Sequence, residues 1–104
     1  MLRLTVYVPA THVDNLKAAL FDAGAGRLGQ YDQCCWQVKG QGQFRPLSGS
    51  QPFLGHTHQL ETVDEYRLEF IVIESSLKTI IDAMKQHHPY EQPAFDVVQL
   101  IDIP

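Results

Sequence analysis

The chain has little positive charge: eight Lys and Arg stand against twelve Asp and Glu among 104 residues, for a formal net charge of −4. No basic face can be assembled from so few, and no nucleic-acid partner is expected. No apolar run approaches the roughly 20 residues that cross a bilayer, so no membrane partner is expected either. Met1 leads directly into an alternating strand pattern, which leaves no room for a signal peptide and makes the cytoplasm the default compartment. Cysteine is confined to the adjacent pair Cys34 and Cys35. Neighbours on a strand point to opposite faces, so a bridge between them would be strained, and one buried thiol (Cys35) beside one exposed thiol fits better. There is no C-x-x-C, no H-E-x-x-H, no serine in a nucleophile elbow and no glycine loop followed by Lys-Ser or Lys-Thr. Hydrolase and NTPase chemistry therefore lack support.

What is present is a regular alternation of strand and helix signals. A length of 104 residues suits one domain, 1–104, able to bury a core without disulfides or metal. Leu2, Leu4, Val6 and Val8 alternate with polar residues as a half-buried strand that ends at Pro9. Thr11 is the expected N-cap of a helix whose buried stripe is Val13, Leu16 and Leu20 and whose stop is Gly24. Tyr31 to Val38 reads as the second strand, and Gly40 to His58 as a long loop with interspersed aromatics, suited to a hairpin arm. Leu60 to Ile73 reads as a long third strand. Ser75 or Ser76 then caps a helix with the stripe Leu77, Ile80, Ile81 and Met84, and Ala94 to Ile103 is the final strand. Strand–helix–strand occurs twice. The expected class is α+β, a ferredoxin-like split βαβ (βαββαβ) sandwich.

The densest set of functional side chains is His87-His88-Pro89-Tyr90-Glu91-Gln92-Pro93, between the second helix and the last strand. Each proline pushes the residue before it toward extended geometry, which presents His88, Tyr90 and Glu91 at low entropic cost. His88 follows a helix C-terminus, where the dipole favours imidazolium, with Glu91 near enough in sequence to pair. A structural turn and a ligand site are both compatible with that pattern. The segment Gly24-Ala25-Gly26-Arg27-Leu28-Gly29 leaves a helix and enters a strand, the reverse of a phosphate loop, and reads as a connection where glycine permits positive φ or close approach of a ligand.

Three segments in order, Gly24 to Cys34, Gly42 to Gly55 and His88 to Ala94, resemble the insert domain of YqfO-type, Nif-three-like proteins, here as a stand-alone unit. The His-Pro-Tyr-Glu motif is similar to one in the CutA family. The resemblance implies a PII/CutA-like fold, a homo-oligomer with a trimer favoured, sites between subunits, and binding or signalling rather than catalysis. Gly26, Arg27, Tyr31 and Cys34 match the first motif, and His88, Tyr90 and Glu91 the last. The parent family's dinuclear metal ligands lie in a flanking domain that is not in this sequence and are not carried over.

The expectation is thus a ligand-binding module with one cleft lined by Gly26, Arg27, Tyr31, Cys34, His88, Tyr90 and Glu91. Both segments follow helices, so both are expected at the same end of the sheet, with Arg27 offering a fork to a small anionic ligand. The rivals are a divalent copper or zinc site on Cys34, His88 and Glu91, and an acid–base enzyme using His88 with Glu91. A separate partner protein is a further possibility, and no cofactor other than such a metal ion is indicated.

Overall fold

The computed structural model describes residues 1–104. Four strands and two helices follow in the order β1 (Leu2–Pro9), α1 (Val13–Asp22), β2 (Trp36–Phe44), β3 (Glu61–Val72), α2 (Leu77–His87) and β4 (Phe95–Gln99). They form one sheet ordered β2-β3-β1-β4, with every neighbouring pair antiparallel. The expected α+β, ferredoxin-like arrangement is the one that forms. In this order β1 and β2 run one way, and β3 and β4 run the other.

Alternation on β1 sends Leu2, Leu4, Val6 and Val8 to one face, where they meet Leu68, Phe70 and Val72 of β3. Leu16 and Leu20 of α1 and Ile80 and Met84 of α2 complete that layer, all fully buried. Each such side chain contributes roughly 1.5–3 kcal/mol. The other face carries Arg3, Thr5 and Tyr7 on β1, in register with Ile71, Glu69 and Arg67 on β3. Trp36 on β2 and Val98 on β4 share it and are 58% and 40% exposed.

Local chemistry departs from expectation at both helix caps and at the ends of β2 and β4. Thr11 does not cap α1; its hydroxyl meets Nδ1 of His12, and a 3-10 turn over Ala10–His12 leads into the helix. Ser76 stands at the start of α2, likewise without a side-chain cap bond. Gly24 does stop α1: at φ 108° it lets Gly24 N–H reach Phe21 O and Ala25 N–H reach Leu20 O, a Schellman closure. The second strand begins at Trp36 rather than Tyr31, because Gly29 and Gln33 both take positive φ and break the extended run. It then continues through Gly40 and Gly42, where pairing with β3 outweighs weak strand propensity. The last strand stops at Gln99.

Candidate functional site

His88 takes φ −83° and ψ 134°, the extended geometry that Pro89 imposes, and α2 ends there. Its side chain turns inward and the residue is only 6% exposed. Nε2 donates to the carbonyl of Tyr7 at 2.7 Å, and Nδ1 accepts the N–H of Tyr90 at 3.1 Å. A carbonyl can only accept and an N–H can only donate, so the ring is neutral and protonated at Nε2. Its position has a structural cause. The N–H of Tyr7 bonds Ala94 O, but Pro93 and the corner before it cannot continue the ladder, and the imidazole supplies the missing donor. Burial pushes the His88 pKa below its usual value, outweighing the Tyr7 bond and the Glu65 charge. The imidazolium favoured by the helix dipole is therefore not the form held here.

Tyr90 projects from the same corner. Its hydroxyl donates to Glu65 on β3 at 2.9 Å, and its ring lies 6.0 Å from Phe44, 6.4 Å from Phe53 and 5.0 Å from the His88 ring. Burial, then the Glu65 carboxylate, pushes the phenol pKa well up. Glu65 can reach this place because Gly42 has no side chain: a Cβ there would collide with the carboxylate. Glu91 does not pair with His88. Both of its oxygens accept the N–H of Gln51 at 3.1 Å, tying the β2–β3 connection to the corner. A hollow of about 520 Å³ lies between these groups, with Phe44, Phe53, Tyr90, Glu65 and Glu91 in its lining. None of its lining residues is Lys, Arg or His.

The glycine-rich corner is elsewhere. Gly26 (φ 78°) donates to Ile71 O at 2.8 Å and accepts from Cys34 N–H at 2.9 Å, closing the neck of a small loop. A Cβ at Gly26 would strike the Cys34 backbone. Arg27 lines a separate hollow of about 480 Å³ with Lys17, Asp14, Asp22 and Asp32. Tyr31 is 75% exposed, and the Cys34 thiol donates to Asp32 O. Cys34 and Cys35 are both half-buried rather than split into buried and exposed, and burial raises the Cys35 pKa.

Within one chain, then, Gly26, Arg27, Tyr31 and Cys34 do not share a cleft with His88, Tyr90 and Glu91. Ile71 is level with Arg3 on β1, and His88 bonds Tyr7, so the corners are about 13 Å apart along that strand. The reason is topological. The connection after α1 enters β2 and the connection after α2 enters β4, and those strands run oppositely. The expected copper or zinc set of Cys34, His88 and Glu91 is likewise not assembled, and no group of three His, Cys, Asp or Glu side chains stands close enough to hold a metal. The His88–Glu91 acid–base pair fails because both ring nitrogens and both carboxylate oxygens have other partners. Glu65 carried no signal in the sequence, and although Gly42, Phe44 and Phe53 lie in the Gly42–Gly55 segment of the resemblance, nothing there assigned them to the corner; they reach it through strand register and a long connection.

No family model matches the chain. It is 43% identical over 100 residues to the GTP cyclohydrolase 1 type 2 homolog of Halalkalibacterium halodurans, covering 96% of this chain and 27% of that protein. Over 102 residues it is 42% identical to the protein of the same name from Bacillus subtilis, covering 98% and 27%. Among solved structures, the Bacillus cereus protein related to NIF3 superposes with a TM-score of 0.83 at 40% identity, over 97% of this chain and 26% of that one. CutA1 from Pyrococcus horikoshii superposes with a TM-score of 0.71 at 13% identity, over 100% and 87%, a likeness of fold alone. The chain is therefore a homologue of the GTP cyclohydrolase 1 type 2 homolog (NIF3/YqfO) family, matching a segment that makes up 27% of those relatives, and it has the CutA/PII-like fold.

Proposed function

We propose that this chain is a non-enzymatic, homo-oligomeric PII/CutA-like binding or signalling module whose small-ligand site is the hollow at the His88–Glu91 corner. One observation carries the reading. Three polar side chains of the proline-braced turn, His88, Tyr90 and Glu91, are each fixed by a hydrogen bond from far along the chain, and Tyr90 and Glu91 line a hollow walled on the other side by the β2–β3 connection. Rigid, pre-formed concavities of this size with aromatic lining are where small molecules bind. The site does not extend to Arg27, whose hollow faces three aspartates. The chain matches only 27% of the relatives' length, and the cyclohydrolase reaction in their name is not carried over to it.

A trimer is the favoured assembly. Support comes from the sheet face bearing Trp36, Val38 and Val98, exposed apolar side chains opposite the helix layer. A thermal-shift and equilibrium-dialysis screen of small molecules tests the ligand reading. Ligands found should lose affinity in Phe53→Ser and keep it in Arg27→Ala. The opposite result for every ligand would remove the site. Light scattering checks the assembly, with Trp36→Asp expected to yield monomers.

A further inference from the structure

We infer that the hollow at the His88–Glu91 corner selects a small planar organic cation bearing N–H donors, of the amidinium or guanidinium kind, and rejects anions. The inference rests on reading that hollow as the ligand site and adds the chemical class of the occupant.

Three features of the lining converge. First, its only charged side chains are carboxylates, Glu65 and Glu91. An anion placed there would face two like charges with no cation to offset them, and the net charge of −4 adds to that field. Second, Phe44, Phe53 and Tyr90 supply ring surface on which a flat cation rests, favoured by the negative faces of the rings. Third, the carboxylates are positioned but not saturated. Glu65 accepts one bond, through Oε2 from Tyr90, and Glu91 accepts one N–H shared between its two oxygens. Each carboxylate has lone pairs to spare, and a planar N–H fork is the donor geometry that uses a carboxylate best.

Gly42 shows that the Glu65 position is built. The carboxylate occupies the volume a Cβ would take at that point of β2, so a side chain there would move the charge while the glutamate stem swings aside. The Tyr90 hydroxyl also donates to Oε2. A glutamate free to extend into solvent would need neither device.

Benzamidine, benzamide and benzoate have nearly the same shape and carry a positive, zero and negative charge. Titration of the full chain, followed by amide NMR shifts, should perturb Gln51 and Tyr90 with benzamidine, about tenfold more tightly than with benzamide, and leave them unmoved with benzoate. Glu65→Gln keeps an acceptor for Tyr90 and should reduce benzamidine affinity about tenfold and benzamide affinity by clearly less. Gly42→Ala should weaken benzamidine in the same direction. Equal binding of benzamidine and benzamide at Gln51 and Tyr90 overturns the charge selection and leaves the hollow as a ligand site. Tightest binding by benzoate also overturns it. If none of the three perturbs those amides, this inference fails, whereas the broader reading falls only if the small-molecule screen is also insensitive to Phe53→Ser.

Discussion

The His88 imidazole and the Tyr7 carbonyl, 81 residues apart in sequence, are joined by a 2.7 Å hydrogen bond that ends the β1–β4 ladder. The same ring accepts from Tyr90, so one side chain couples the sheet edge to the corner that borders the hollow. Replacing it removes both bonds and leaves a carbonyl without its donor. His88→Ala should cost about 2–4 kcal/mol in urea unfolding. A loss well under 1 kcal/mol would mean that water replaces the ring without penalty.

The buried ring also sets a pH dependence. Burial lowers the His88 pKa in the folded state, so the unfolded chain takes up the proton first as pH falls. The stabilisation is fully present above about pH 6.5, the unfolded value, and is lost as pH drops through the lower folded value. Glu65 opposes the shift and His12 reinforces it. Urea midpoints from pH 8 to 5 should fall in the wild type, and the His88→Gln variant should lack that part of the slope.

Tyr90 ionises against burial and the Glu65 carboxylate. In a spectrophotometric titration, the Tyr90 phenol should ionise above the usual tyrosine range, and Tyr90→Phe should abolish that late step. Because the Tyr90–Glu65 bond is only partly buried, the substitution should cost no more than about 1 kcal/mol. A late step that persists in Tyr90→Phe would contradict the assignment.

Gly26 and Gly29 both take positive φ, but only Gly26 also has backbone packed where a side chain would begin. Gly26→Ala should therefore destabilise by about 3 kcal/mol or more, and Gly29→Ala by about 1 kcal/mol. Thermal unfolding of the two variants side by side checks the contrast. Equal costs would show that the Cys34 backbone yields.

The Cys35 thiol is half-buried and its pKa is raised by that burial. In a Cys34→Ser background, alkylation by iodoacetamide at pH 8 should be slower than for an unhindered cysteine thiol, and urea should bring it to the unhindered rate. Equal rates in the folded and unfolded states would contradict the burial.

The elements were legible where a single periodicity acts without interruption. Leu2 to Val8, the stripe Leu16 and Leu20, and Ile80 with Met84 are buried as their spacing requires, because side-chain direction follows directly from backbone repeat. The stop at Gly24 and the break at Pro89 were also readable, since each depends on a backbone property of one or two residues. The start of β2 was not, because Tyr31 to Cys35 has strand composition but folds back on the turn before it, Tyr31 onto Leu28 and Cys34 onto Gly26.

Those same local properties made the residues of the His88–Glu91 corner recognisable, but not its partners. Whether it shares a hollow with Arg27 depends on the relative direction of β2 and β4, which is a property of the assembled sheet. Tyr7, Glu65, Gly42 and Gln51 join His88, Tyr90 and Glu91 only through register and a returning connection. Backbone conformation is written residue by residue, whereas the company a side chain keeps is settled only when distant strands pair.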